Sequence, residues 1–145
     1  VHALKFMSQK NGQQMVKEFA HARAQEIARK IQKNLAQSRS QKEKIKVLAQ
    51  ELTNEGYATT VQQRAQGEEI CQHHCPIAHV AAEFPELCEA ETAAFSAILG
   101  THVQRLATIA HGDGVCTTYI PNAVRKNAIT KNAVSEAMQN AGSRS

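Results

Sequence analysis

The chain has 145 residues, 42% apolar and 21% charged, with no tryptophan and a formal net charge of +4. That length fits one domain, and no run of about eighteen apolar residues is present to cross a bilayer. The N-terminus carries no apolar stretch ahead of a small-residue cleavage site, so a cytoplasmic location is expected. Charge is segregated: residues 1–46 hold eleven Lys/Arg against three Glu, and residues 47–100 hold one Arg against eight Glu. A basic N-terminal stretch can touch nucleic acid, but with helical periodicity it reads first as a solvated helix face.

Residues 13–36 predict a long helix, because Val16, Ala20, Ala24, Ile27, Ile31 and Leu35 recur at spacings of three and four. Ser38-Arg39-Ser40 breaks it, and a second helix is expected over about 41–55, with Gly56 placed as its stop. Residues 57–63 alternate as a strand does, and 68–73 can pair back across Gln66-Gly67. Pro76–Glu83 and Pro85–Leu99 read as two helices, the second stopped by Gly100. Val103–Ala110 and Val115–Ile120 read as strands, with Asp113-Gly114 as the hairpin signal between them. A weak helix over Ala128–Met138 sits in an otherwise polar end. The expected fold class is α+β: a long N-terminal helical arm and a small antiparallel sheet of two hairpins with an inserted helix pair. Residues 1–40 form the arm, 41–121 the main domain, and 122–145 a polar, partly disordered tail.

Four cysteines, Cys71, Cys75, Cys88 and Cys116, stand out in this plan. Inside a reducing cell, cysteines are metal ligands or redox centres more often than disulfides. Cys75 precedes Pro76, and Cys88 follows Pro85 by three residues, so both are expected at helix starts. The positive end of a helix favours thiolate, the form that binds metal. In an extended strand Cys71, His73 and Cys75 would share one side. All four sulfurs are therefore expected to converge. Spacing leaves three chemistries open. Zinc wants two short ligand pairs, and only Cys71 with Cys75, near His73, His74 and His79, offers one. An iron–sulfur cluster accepts wide, uneven thiolate spacing. A single redox cysteine leaves three unexplained. No Ser/His/Asp set, phosphate loop or H-E-x-x-H occurs, so no catalysis is expected.

Several short motifs occur together in this chain. They are Glu55-Gly56-Tyr57, His73-His74-Cys75-Pro76-Ile77, Phe84-Pro85-Glu86-Leu87-Cys88 with Glu91, Leu99-Gly100, and Ile109 through Cys116. Over about residues 10–120 the chain resembles the C-terminal sensor domain of the Suf-operon repressor family of bacterial transcriptional regulators. The resemblance implies a 4Fe–4S cluster on Cys75, Cys88 and Cys116, with Cys71 as fourth ligand, in a repressor of iron–sulfur cluster assembly genes. His73, His74 and His79 are candidates for supporting roles around the cluster, as is Glu91, which matches a family position. The alternative is a zinc-stabilised interaction module with no sensing role. Family members begin with a winged helix-turn-helix, whereas residues 1–40 read as one continuous stripe. DNA contact is therefore expected only through such a domain, not present in this chain. The stripe would span about 36 Å, more than a small sheet covers, so a homodimer through it is expected.

Overall fold

The computed structural model describes residues 1–123. The Ala128–Met138 helix and nearly all of the expected tail lie outside the described residues. The elements run α1 (His2–Leu35), α2 (Gln41–Asn54), β1 (Thr59–Arg64), β2 (Gly67–Gln72), α3 (Ala78–Glu83), α4 (Glu86–Leu99), β3 (Gln104–Ala107) and β4 (Cys116–Pro121). The four strands form one antiparallel sheet in the order β1-β2-β4-β3. This is the α+β fold expected: N-terminal helices, two hairpins in one sheet, and a helix pair inserted between the hairpins.

Helix α1 is longer than its stripe implies. It begins at His2 and breaks at Gly12, whose φ of 71° and ψ of −172° interrupt the helical turn. The short first segment turns Leu4 inward to pack with Val16, Ala20, Ala81, Phe84 and Leu87. The rest of α1 lies along α4 and touches α2, so it is a packed wall and not a free arm. Ile27, Ile31 and Leu35 join Leu48, Leu52, Phe95 and Ile70 in the main core. Every stripe residue, from Val16 to Leu35, is at most 8% exposed within a single chain. No uncovered stripe is left on α1 to call for a second copy. The stripe is not too long, because α3, α4, α2 and the sheet together cover it.

Helix α2 is bounded by chemistry legible in its sequence. The Ser40 hydroxyl accepts from the Glu43 N–H at 3.2 Å, capping the first turn. At its end, Gly56 (φ 96°) donates to the Thr53 carbonyl and Tyr57 to the Leu52 carbonyl, the paired bonds of a glycine-terminated helix. That turn sets Tyr57 in the core, 1% exposed.

The sheet departs from expectation at both turns. The first turn is Ala65-Gln66, since Arg64 pairs with Gly67, and Gly67 belongs to β2. A Cβ there would drive into the Ile120 carbonyl and come within 2.9 Å of the Tyr119 hydroxyl. Glycine is thus needed for close approach of β4, not for the turn. The second connection is no two-residue hairpin. β3 stops at Ala107, and a 3₁₀ turn over Ile109–His111 follows. A bulge in β3 pairs Arg105 with Thr118 and Ala107 with Thr117, which pushes Leu106 out to 53% exposure.

Register assigns the faces. Ile70, Gln72, Cys116, Thr118, Ile120 and Arg105 share the face under the helices. Thr60, Glu69, Cys71, Thr117 and Tyr119 share the opposite one. Among the described residues, no helix is long and apolar enough to cross a membrane.

Candidate functional site

Cys116 opens β4 on the helix-covered face, directly opposite Gln72, and is 4% exposed. The loop before it folds back onto it. Asp113 accepts from the Thr108 N–H at 2.8 Å, Thr108 Oγ1 and His111 Nδ1 lie 2.8 Å apart, and Gly112 takes a left-handed φ of 97°. This brings the Ile109 N–H to 3.2 Å from Cys116 Sγ, where it donates. The His111-Gly112-Asp113-Gly114 run therefore shapes a hydrogen-bonded cradle for a sulfur.

Cys75 follows β2. The His73 and His74 N–H groups donate to the Ala58 and Tyr57 carbonyls at 3.1 and 3.2 Å, carrying the ladder past the strand end. A turn closed from Ala78 N–H to the Cys75 carbonyl at 3.2 Å then starts α3. The Ile77 N–H bonds the half-buried Cys75 sulfur. Cys88 is the third residue of α4, beyond Pro85.

These three thiols lie within electrostatic reach of one another. Charge on Cys116 raises the pKa of Cys75, and charge on Cys75 and Cys116 raises that of Cys88. The expected pKa depression by helix starts is overturned. Burial is the largest influence at both sites and pushes both thiols up, Cys88 to about 11. Arg105 opposes this at Cys88, and the Ile77 N–H and Arg23 oppose it at Cys75. At neutral pH the metal-free Cys75 and Cys88 thiols are protonated, so taking up a metal would release protons.

Cys71 is not with them. It lies one residue before Gln72 and thus on the other sheet face, opposite Thr117 and Thr60. Its pKa is raised by burial and by Glu69, and it bonds Thr117. The expectation of four converging sulfurs fails because the period of two in β2 separates Cys71 from a residue facing Cys116. His73 bonds Thr60 at 2.8 Å on the outer face, and His73, His74 and His79 are all exposed.

A buried polar chain borders the three thiols. Arg23 on α1 donates to the Tyr57 hydroxyl at 3.2 Å, and Tyr57 donates to Glu91 at 2.5 Å. Arg105 donates to Glu91 at 3.4 Å, to Thr92 at 3.2 Å and to Gln72 Oε1 at 3.1 Å. Glu91 is 5% exposed and one helical turn from Cys88, and its charge is felt by Cys75 and Cys88. Gln72, also fully buried, leaves its Nε2 without a partner among the described residues.

An open groove of about 1060 Å³ between α4 and β3 is lined by Cys88, Thr92, Arg105 and His111, giving one thiol a path to solvent. Among the described residues, no group of three His, Cys, Asp or Glu side chains is placed to hold a metal ion. The sequence singles out Glu91, and Tyr57 within the Glu55-Gly56-Tyr57 motif, but not Arg23, Gln72 or Arg105. An arginine in the apolar stretch Val103–Ala107 was the one signal available. No family model matches the chain, and no curated protein matches it.

Proposed function

We propose that this chain is the iron–sulfur sensor region of a transcriptional regulator of iron–sulfur cluster assembly genes, with a 4Fe–4S cluster on Cys75, Cys88 and Cys116. The observation that supports the reading is that three thiols, from the α3 turn, the start of α4 and the start of β4, are near enough for the charge of one to bear on another, with hydrogen-bond donors beside them. Ile77 and Ile109 already direct N–H groups at two of the sulfurs, and Arg105 and Arg23 supply positive charge. Such donors suit anionic sulfur. A tetrahedral zinc site needs all its ligands about 2.0–2.3 Å from one ion. A cluster, with several irons, accepts wider separations. Cys71 has no part in this reading, and the fourth iron position is left to a ligand other than a cysteine.

A bound cluster would supply a labile, redox-active centre. The residues of the chain set the consequence of its loss. Three segments otherwise held by separate packing would be tied at one point and released together. The chain Arg105–Glu91–Tyr57–Arg23 leads from that point to α1. We infer that α1 passes the change to a winged helix-turn-helix, so that the loaded form represses and the empty form releases. The reading places the protein in the cytoplasm and assigns it no reaction. Paired DNA half-sites would call for two copies, joined through a surface other than the α1 stripe. Anaerobic purification with metal and sulfide analysis tests the reading. Stoichiometric iron and sulfide with broad absorbance near ~400 nm is expected. Stoichiometric zinc without sulfide would instead favour the zinc-stabilised module.

A further inference from the structure

Gln72 is the last residue of β2 and is 0% exposed. Its Oε1 accepts from Arg105 Nη1 at 3.1 Å, which fixes the carboxamide's orientation: the other end is the N–H₂ group. Arg105 belongs to β3, on the far side of β4. The bond between the two side chains spans β4, where Cys116 is the partner of Gln72 in the ladder. The other neighbour of Gln72, Thr59, lies on β1, in the opposite direction. Nε2 is thus a buried donor with no acceptor among the described residues, on a side chain tied to Arg105 and set opposite Cys116 in the ladder. Unpaired buried donors are rare and costly, and one opposite a thiol proposed as a ligand calls for an acceptor that arrives with a bound group.

We propose that the Gln72 carboxamide is a donor built for sulfur, hydrogen-bonding a thiolate or bridging sulfide of the group held by Cys75, Cys88 and Cys116. The proposal rests on the cluster reading above and adds a residue that no cysteine pattern indicates. Gln72 is then a binding residue, and its donor slows loss of the bound group.

The test loads the protein anaerobically with ferrous iron and sulfide, then tracks bound iron and sulfide during a chelator challenge. Gln72→Glu keeps the acceptor for Arg105 and removes the donor. Gln72→Met removes both without adding charge. Both variants are expected to load and then lose iron roughly tenfold faster than the parent, the worth of one hydrogen bond to a charged group. Metal-free Gln72→Glu is expected to melt no lower than the parent, because the tie to Arg105 is kept. Loss at the parent rate in both variants overturns the proposal while leaving the cluster reading intact. So does faster loss confined to a variant whose metal-free form also melts lower, since that marks a purely structural role. A parent protein that takes up neither iron nor sulfide overturns both.

Discussion

Replacing Tyr57 with phenylalanine isolates the polar chain under the site without changing the shape of the core. Tyr57 is 1% exposed, and its ring packs in the main core, so the phenyl group fills the same space. What is lost is one hydroxyl that donates to Glu91 at 2.5 Å and accepts from Arg23 at 3.2 Å. A hydrogen bond to a charged group contributes about 1.5–3 kcal/mol. Glu91 keeps only the longer contact to Arg105, at 3.4 Å, and the half-buried Arg23 is left with no partner in the chain Arg23–Tyr57–Glu91. The expected destabilisation of the metal-free protein is therefore about 2–3 kcal/mol, or roughly 10 °C in melting temperature for a domain this small. Urea unfolding followed by circular dichroism reads it directly, with an unchanged m-value showing that the fold itself is kept. A loss below about 0.5 kcal/mol, the scale of an ordinary surface substitution, would refute the view that this chain is a desolvated, hydrogen-bonded support beside the thiols.

Gly67→Ala should cost about 3 kcal/mol or prevent folding, because the new methyl meets the Ile120 carbonyl and the β4 backbone; expression and urea unfolding check it. Ile31→Glu should unfold the chain, since that position is 1% exposed in the single-chain core; sedimentation of a folded, merely dissociated protein would mean that the stripe is an interface after all. Metal-free stability should fall as pH rises from about 9 to about 11. In that window the unfolded chain releases a Cys88 proton that burial makes the folded chain keep. Tyr57, raised by burial and by Glu91, adds to the loss above pH 10. Urea midpoints across that range that do not decline would show the thiol to be more open to water than its position indicates.

Apolar period and local stop signals are strong enough to read from one chain, and here they placed the helices and hairpins. Ser40 and Gly56 bound α2 where their chemistry demands, and the alternation of burial along β4 marks the sheet's buried face. The site was legible only in part, because it depends on long-range register. Cys71 and Cys75 look like neighbours in sequence, but one residue of register in β2 puts Cys71 on the far face. Asp113-Gly114 has the composition of a tight turn. The Asp113 carboxylate instead serves the Thr108 N–H, and the loop is drawn back toward Cys116. The stripe on α1 is legible as a stripe, but nothing local reveals that α4 and α3 line up beside it and cover it. Arg105 and Gln72 carry no motif. Only the β2-β4-β3 order brings them to the thiols.

The measurement that bears most directly on the cluster site is iron and sulfide uptake by five proteins side by side: the parent chain and its Cys71→Ser, Cys75→Ser, Cys88→Ser and Cys116→Ser variants, each reconstituted anaerobically. The parent and Cys71→Ser should each take up about four iron and four sulfide per chain. The other three should retain none stably, while their metal-free forms stay folded by circular dichroism. Equal loss in Cys71→Ser, or a parent that holds one zinc and no sulfide, would contradict a cluster held by Cys75, Cys88 and Cys116.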